Sequence, residues 1–286
     1  MGYGTYATIA DLKGVLGITS TTDDTVMRKE LEAASRSIDN YCNRYFNTKS
    51  AVVYFNGDRT LWLPDLLSIT TIKTDEDGDG TFENTLATTD YIEYGHGIED
   101  ALNVYPRTRL EISHDSDYGS FASSVKKGVR IEGVFGYGDG ISATPYVVDT
   151  TLTAAISSTT ATTCTVTAVT NLSAGNTILI DSEQMYIYSI STLTLTVERG
   201  VNGTTAATHS NSVSLYIYQY PSDIRQACIA LGVALYQNRA KQGIQSEHIG
   251  DYSYNLKSPY SEGGKIKSVI QTILDDSILG YKRMRV

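Results

Sequence analysis

The sequence predicts an α+β fold, in which a helical domain carries a small antiparallel sheet and an all-β module is inserted into it. Three observations lead to this prediction. Apolar residues repeat at helical spacing near both ends of the chain, they alternate with a period of two from residue 50 onward, and the composition changes between residues 146 and 219. We therefore expect a discontinuous domain made of residues 1–145 and 220–286, interrupted by a small all-β module at 146–219.

Two helices are predicted at the start of the chain. Thr8 and Asp11 have the spacing of a capping box, and Gly17 is placed to end the short helix that follows. A longer second helix begins with acidic residues, which the helix dipole favours at that end. Its apolar stripe repeats at every third or fourth position: Met27, Leu31, Ala34, Ile38, Tyr41 and Tyr45. We expect this stripe to lie in the core or in a subunit interface.

Short strands are predicted from residue 50 onward. Segments such as AVVYFNGD, ITTIKT and GVRIEGVFGYG alternate apolar and polar residues, and Gly, Asn, Asp and Pro separate them. These segments predict a compact antiparallel sheet that carries the chain between its helices.

The segment 146–219 has its own composition. It is rich in Thr, Ser and Val, it contains no Lys, and Arg199 is its one Arg. Strand-like stretches such as NTILIDS, EQMYIYSIS and SVSLYIYQY follow one another through it. A separate small all-β module is the simplest interpretation.

Helical spacing returns at Pro221, which forms a helix start together with Ser222 and Asp223. Gly243 is placed to end this helix. The apolar positions on one of its faces are Ile224, Cys228, Leu231 and Leu235. A last helix repeats Ile266, Val269, Ile270, Ile273 and Leu274, and the chain then ends in the basic segment GYKRMRV.

The charge balance argues against a protein that holds nucleic acid through its phosphates. The 23 Lys+Arg residues stand against 32 Asp+Glu, which gives a net charge of -9 and a pI near 4.9. An encounter with DNA should therefore be mostly repulsive. Tyr is used 21 times against 5 Phe and 1 Trp, and Tyr suits partly wet interfaces between subunits.

The cysteines and the apolar runs exclude further classes of protein. Cys42, Cys164 and Cys228 lie far apart without a CxxC motif, so we expect buried free thiols and neither a disulfide framework nor a zinc site. The longest nearly apolar run, at 227–235, is far shorter than the roughly 20 residues of a membrane span. No signal peptide is evident, so we expect no membrane partner and a protein made in the cytoplasm.

The segment TDEDGDGTFENTL has the spacing that opens a calcium-binding EF-hand loop, with Asp75, Asp77 and Asp79 at alternate positions. An EF-hand also needs flanking helices and a Glu at loop position twelve, but the flanks are strand-like and that position is Leu86. A β-hairpin turn is the favoured interpretation. The alternative is a weak metal site built from the three Asp residues. We expect no cofactor, and adventitious calcium at most.

No catalytic constellation is found. Four glycines follow a predicted strand in GVFGYGDG, but Pro145 and more strand-like sequence stand where a phosphate-binding loop needs a helix. The four His residues are scattered, without metal-ligand spacing or a nucleophile elbow. We could assign no acid or base role to Glu83, Glu111 or Glu183. We expect no enzyme, and an acidic hydrolase with a calcium-supported site is the remaining enzymatic alternative.

The order of three short phrases resembles the head-tail connector family of long-tailed bacteriophages, also called adaptor or head completion proteins. The resemblance covers roughly residues 1–140 and 220–286. In that family a helix pair ends in an Asn-Tyr-x-x-Arg-x-Phe phrase, a later helix that begins with Pro carries Leu-Tyr-x-x-Arg, and the chain closes in a basic tail. The matching residues are Asn40, Tyr41, Arg44 and Phe46, then Pro221, Leu235, Tyr236 and Arg239, then Tyr281, Lys282 and Arg283.

The resemblance implies a helical adaptor domain and a structural role in the virion neck, assembled in the host cytoplasm. It implies a ring of about twelve copies that binds beneath the portal protein and contacts a downstream neck or tail protein. Double-stranded DNA would pass through this ring without specific binding. The residues expected to bind the portal lie in the basic tail: Tyr281, Lys282, Arg283 and Arg285.

A second hypothesis makes the module at 146–219 the functional part. In that case the protein is a β-module binding protein that attaches to a glycan or to another virion protein. The candidate stacking residues are Tyr186, Tyr188, Tyr216 and Tyr218, several of which strand alternation would turn inward.

Overall fold

The computed structural model describes residues 4–95, 105–239, 246–249, 252–255 and 265–283. The helices are α1 (Ile9–Leu16), α2 (Asp24–Cys42), α3 (Ser222–Asn238) and α4 (Lys265–Ile278). The strands are β1 (Lys49–Phe55), β2 (Thr60–Thr74), β3 (Asn84–Leu86), β4 (Tyr91–Gly95), β5 (Arg107–Ile112), β6 (Val129–Phe135), β7 (Tyr146–Thr151), β8 (Thr163–Thr165), β9 (Thr177–Ile180), β10 (Glu183–Ser191), β11 (Thr194–Glu198), β12 (Ser214–Tyr218), β13 (Ser246–Ile249) and β14 (Tyr252–Asn255).

The predicted fold class is wrong. The sequence predicted an α+β protein with a helical adaptor domain, a small antiparallel sheet and an inserted all-β module. The described residues instead form a mostly β structure with two antiparallel six-stranded sheets and four α-helices. The physical reason is that the period-two stretch after residue 50 supplies six strands and a core of its own, so its sheet is a principal layer rather than an accessory to helices.

Contacts divide the chain into two compact units. Unit 1 contains residues 1–43, 147–201 and 205–286, and unit 2 contains residues 44–146 and 202–204. The helices and the strands β8–β12 therefore lie in unit 1, and β1–β6 lie in unit 2. The sequence predicted domain boundaries at 145/146 and 219/220. The division into units by contacts does not test these boundaries, and they stay a prediction.

Unit 2 is built on one sheet with the strand order β1-β6-β2-β5-β4, and β3 pairs with β2. Alternation along β2 turns Leu61 and Leu63 into the core and leaves Trp62 64% exposed on the other face. The core residues are Leu61, Leu63, Leu66, Ile72, Leu86, Tyr91, Leu110, Ile112, Phe121, Val129 and Ile131. Unit 2 therefore has a continuous apolar core of its own.

The second sheet, in unit 1, closes into a small barrel. Its strand order is β7-β12-β9-β10-β11-β8. The two end strands are joined because Thr153 N donates to Thr165 O at 2.9 Å and Thr167 N donates to Thr151 O at 3.0 Å. Fully buried apolar side chains fill the interior, among them Val166, Ile178, Ile180, Met185, Ile187, Leu195 and Leu215. Closure gives the end strands the backbone partners that an open sheet would lack.

The helices of unit 1 follow most of the sequence predictions. The capping box is confirmed, because Asp11 N donates to Thr8 Oγ1 at 3.1 Å and Thr8 N donates to Asp11 Oδ2 at 2.9 Å. The α2 stripe is confirmed at Met27, Leu31, Ala34 and Ile38, which are all fully buried. The helix was expected to reach Tyr45, but it ends before that residue, which is 63% exposed, and an interface role for Tyr45 stays a prediction. Asn43 ends the helix before that position by taking a left-handed conformation, with φ 52°.

Direct contacts connect the helices of unit 1 to its barrel. Ile9 N at the start of α1 donates to Ala174 O at 3.0 Å. Arg28 of α2 places its guanidinium 4.4 Å from the Tyr188 ring centre and donates to Tyr188 O at 3.2 Å.

The three cysteines are buried free thiols, as predicted. Among the described helices, none combines the length and apolarity needed to cross a bilayer.

A buried carboxyl group on α2 gives unit 1 a specific pH dependence. Asp39 Oδ1 accepts a hydrogen bond from the Tyr6 hydroxyl, and Arg36 Nη1 lies 3.1 Å from Asp39 Oδ2. Burial raises the pKa of Asp39 to about 6, although Arg36 and Tyr6 act in the opposite direction. Because the folded state binds this proton more tightly than the unfolded chain, its stabilising effect is present below about pH 4 and is lost as the pH rises through 6.

We expect the free energy of unfolding of unit 1 to fall by up to about 3 kcal/mol between pH 4 and pH 7 on account of Asp39. In Asp39→Asn this component should be absent, because the amide does not titrate. Urea unfolding followed by far-UV circular dichroism at several pH values measures it. Glu32→Gln, an exposed carboxyl on the same helix, is the control and should keep the wild-type slope. An unchanged slope in Asp39→Asn would contradict the assignment.

Candidate assembly surface

The C-terminal helix α4 packs in unit 1 against α3 and, to a smaller extent, α2. Leu274 and Ile278 are its buried apolar side chains in the part whose side chains are described. A short 3-10 turn, Leu279–Tyr281, follows α4 and turns the chain toward the end of α2. The helices α2 and α3 therefore present a surface that holds a chain segment.

Tyr41 of α2 makes two polar contacts with that segment. Its hydroxyl donates to Asp275 Oδ1 of α4, and the Lys282 ammonium lies 4.9 Å from its ring centre. Burial and the hydrogen bond to Asp275 raise the pKa of Tyr41 to about 12, so the hydroxyl remains a donor. The ring thus pairs with a cation on one side while its hydroxyl pairs with a carboxylate.

Two further contacts hold the residues after α4. Arg283 N donates to Cys42 O at 2.8 Å, which gives a partner to a carbonyl at the C-terminal end of α2. The Tyr281 hydroxyl donates to Asp223 Oδ2 at 3.4 Å, in the first turn of α3. The beginning of the basic tail is therefore fixed to both α2 and α3.

The opposite ends of these helices are also joined. Asp23 Oδ2, just before α2, accepts from the Tyr236 hydroxyl at 2.6 Å and from Arg239 Nη2 at 2.7 Å. The hydrogen bonds from Tyr236 and Arg239 lower the pKa of Asp23. The Arg239 guanidinium lies 3.9 Å from the Tyr236 ring centre. Tyr236 and Arg239, which belong to the Leu-Tyr-x-x-Arg phrase, thus connect the end of α3 to the start of α2.

The rest of the first phrase lies in unit 2 and forms a buried cluster. Arg44 Nε is 3.6 Å from Asp65 Oδ2, and its guanidinium lies 4.9 Å from the Tyr137 ring centre. Phe46, fully buried, packs against the same Tyr137 ring at 5.2 Å. Sequence reasoning missed Asp65 and Tyr137. The one available signal for Tyr137 was its place in the glycine-rich run GVFGYGDG.

The residues predicted to bind the portal are only partly described. Tyr281, Lys282 and Arg283 make the contacts just given with α2 and α3, and Arg285 lies outside the described residues. The portal contact of all four residues stays a prediction.

The acidic loop joins the paired strands β2 and β3 of unit 2. Asp75 accepts from Gly78 N at 2.7 Å and from Gly80 N at 2.8 Å, so its carboxylate organises the turn. Asp77 and Asp79 each accept a hydrogen bond from the backbone N–H of the residue two positions later in the chain.

One oxygen from each of Asp75, Asp77, Asp79 and Glu83 lies within 4.8 Å of the others. Among the residues that the structure describes, these four could together hold a cation. Sequence analysis had not placed Glu83 in the group, and the metal site stays a prediction.

A buried ionic network lies in the barrel of unit 1. Arg199 Nε and Nη2 each donate to the fully buried Glu183 carboxylate at 2.7 Å, in a bidentate pair. Gly200 N and Ala207 N add hydrogen bonds to the same carboxylate, at 3.0 and 2.9 Å. Burial alone would raise the pKa of Glu183, but its hydrogen bonds from Arg199, Ala207 and His209 hold that pKa below its ordinary value.

His209 completes the network. Its Nε2 lies 2.9 Å from Glu183 Oε2 and its Nδ1 lies 2.7 Å from Asp181 Oδ2. Arg199 also donates to Ser158 O and Ala161 O, both at 3.1 Å. These contacts fasten the segment that follows β11 to the barrel. Sequence reasoning had found no role for Glu183, and the signal it left unused was that Arg199 is the one Arg of this segment.

Most of the Tyr residues predicted to stack on a glycan are buried or packed against other side chains of unit 1. Tyr186 and Tyr218 are buried, each 4% exposed. Tyr188 lies under the Arg28 guanidinium, and its hydroxyl donates to Glu198 at 2.7 Å. The ring faces that a sugar would need are therefore covered at these three positions, and no observation favours the glycan alternative.

The contacts thus identify the candidate site as the α2–α3 surface, which holds α4 and the residues that follow it. Residues 5–130 match the family model of head completion proteins. This match confirms, over that part of the chain, the resemblance derived from the sequence phrases. The match includes the whole first phrase, from Asn40 to Phe46.

Other comparisons add little. No curated protein matches the chain. A chain of a solved structure, described as the neck of an empty GTA particle computed with C6 symmetry, is 14% identical, with a TM-score of 0.37. The alignment covers 97% of this chain and 89% of that chain. A similarity at this TM-score carries no argument about function.

Proposed function

We propose that this chain is a structural protein of a bacteriophage virion that joins head to tail. The observation that carries the proposal is the match of residues 5–130 to head completion proteins. In finer detail, about twelve copies form a ring beneath the portal protein and a downstream neck or tail protein binds below it. Assembly takes place in the host cytoplasm, and the chain has no catalytic role.

The negative net charge of the chain is compatible with a ring through which DNA passes. A net charge of -9 would keep the wall of a channel from holding the phosphates of the passing duplex, provided that acidic side chains face the lumen. A ring whose lumen is neutral or basic would contradict this part of the proposal.

The portal contact is proposed for the C-terminal segment from Tyr281 to Val286. Its cations, Lys282, Arg283 and Arg285, would meet an acidic rim. The contacts of Tyr281 and Arg283 with α3 and α2 support this role, because an anchored start fixes where the last residues leave the surface.

Electron cryo-microscopy of the purified protein, alone and mixed with a matching portal protein, tests the proposal. We expect closed rings seated on the lower face of the portal. A variant with Arg283 and Arg285 both changed to Gln should form rings that no longer bind the portal. The matched control changes two exposed lysines elsewhere, Lys126 and Lys127, to Gln and should bind normally. A monomer that ignores the portal would overturn the proposed function.

A further inference from the structure

The connection between α3 and α4 is much longer than two neighbouring helices need. Helix α3 ends at Asn238 and α4 begins at Lys265, whereas packed helices are commonly joined by about 2–8 residues. The described part of this connection is the two-stranded hairpin β13–β14. The whole connection, 239–264, is 26 residues long, more than three times the longest of those common connections. Such a length lets α4 reach beyond the α2–α3 surface of its own chain.

The contacts of α4 do not depend on which copy supplies it. In the part of α4 whose side chains are described, the apolar contribution comes from Leu274 and Ile278, and polar contacts join Asp275 and Lys282 to Tyr41. All of these contacts lie between α4 with its following residues and the pair α2–α3. The same set would form, at the same distances, if the segment came from a neighbouring copy, because none of them depends on the connection.

We propose that in the assembled ring α4 of each copy, with the residues that follow it as far as Arg283, lies on the α2–α3 surface of the next copy. This exchange rests on the proposed function, since it requires that copies assemble. It would create a head-to-tail interface, in which one copy contributes the segment and the next contributes the surface, and such interfaces form rings when the rotation from copy to copy closes. Exchanging an identical element between copies adds contact without requiring a new surface.

A cross-linking experiment separates exchange from packing within one chain. Tyr281→Cys and Asp223→Cys, introduced together, place two thiols where the Tyr281 hydroxyl and the Asp223 carboxylate are 3.4 Å apart. The assembled protein is treated with a short bis-maleimide and separated under denaturing conditions. Exchange predicts a ladder of covalent multimers. A product of monomer size with an internal link would overturn the exchange.

Controls make each outcome interpretable. The wild-type chain should not cross-link, because its three cysteines are buried. A mixture of Tyr281→Cys copies with Asp223→Cys copies, each carrying one new thiol, should give covalent dimers that join one variant to the other. If the first pair disturbs folding, Tyr41→Cys with Lys282→Cys tests the same surface, where the Lys282 ammonium is 4.9 Å from the Tyr41 ring.

Mass photometry of the native sample, taken before denaturation, distinguishes the two proposals. Rings that yield only internally linked monomers would refute the exchange and leave the proposed function standing. A sample that contains only monomers, with or without the portal protein, and yields internal links would refute both. Rings that yield the ladder support both.

Discussion

Replacing Glu183 with Gln is expected to lower the free energy of unfolding of the barrel in unit 1 by about 3–5 kcal/mol. The change leaves Arg199, whose side chain is 7% exposed, without its bidentate carboxylate. It also replaces one carboxylate oxygen by an amide N–H₂, so donors would face donors either at Oε1, which accepts from Arg199 Nε and Gly200 N, or at Oε2, which accepts from Arg199 Nη2 and Ala207 N. Urea unfolding and hydrogen exchange of the amides in β9–β12 measure the loss.

Glu32→Gln is the matched control for Glu183→Gln, because it makes the same chemical change at an exposed position of unit 1. Its effect should stay within about 0.5 kcal/mol. If Glu183→Gln does not fold, the double variant Glu183→Gln/Arg199→Gln should recover part of the stability, since it removes the unpaired cation. A Glu183→Gln protein as stable as the control would show that the network contributes nothing to the barrel.

The second large effect is expected at Arg44 in unit 2. Arg44→Met should cost about 3 kcal/mol, because Asp65, 5% exposed, would lose the buried cation beside it. The pair is held at 3.6 Å, and Arg44 Nη1 makes no hydrogen bond within the described part of the chain, so the geometry is poor for a buried ion pair. The double variant Arg44→Met/Asp65→Leu should therefore return close to wild-type stability.

Trp62 provides the measurement for Arg44→Met. It is the one Trp of the sequence, and it lies in unit 2 with its ring 5.7 Å from the Arg109 guanidinium. Urea unfolding followed by Trp fluorescence thus reports on the unit that contains Arg44. Arg59→Met, at an exposed arginine of the same unit, is the control and should stay near wild type. A double variant less stable than Arg44→Met would contradict the ion-pair interpretation.

Local patterns in the sequence predicted individual elements well and their arrangement poorly. The spacing of Thr8 and Asp11, and of Met27 to Ile38, predicts a cap and a buried stripe because both depend on residues within a few turns. Spacing did not show that α2 ends before Tyr45, since that end depends on Asn43 adopting positive φ. The fold class failed because periodicity identifies strands without saying that six of them share one core.

The candidate site could be predicted only in part. The resemblance drew attention to Tyr41 and to Lys282, but nothing in the local sequence of either residue indicates that they meet. Asp275 lay outside the phrases and was missed for the same reason, and Asp223 was identified only as part of a helix start. Glu183 begins β10 and Arg199 follows the neighbouring strand β11, and a buried ionic pair has no periodic pattern by which a single sequence would disclose it.

The closed barrel has a consequence for a protein packed among many copies. Where an open sheet offers unsatisfied N–H and C=O groups, any extended peptide of a crowded neighbour can attach regardless of its side chains. In the barrel, the contacts of Thr151 to Thr153 with Thr165 to Thr167 occupy those groups at the seam. A neighbouring copy that contacts the barrel at this seam must therefore bind through side chains, so the contact depends on the shape and chemistry of both surfaces.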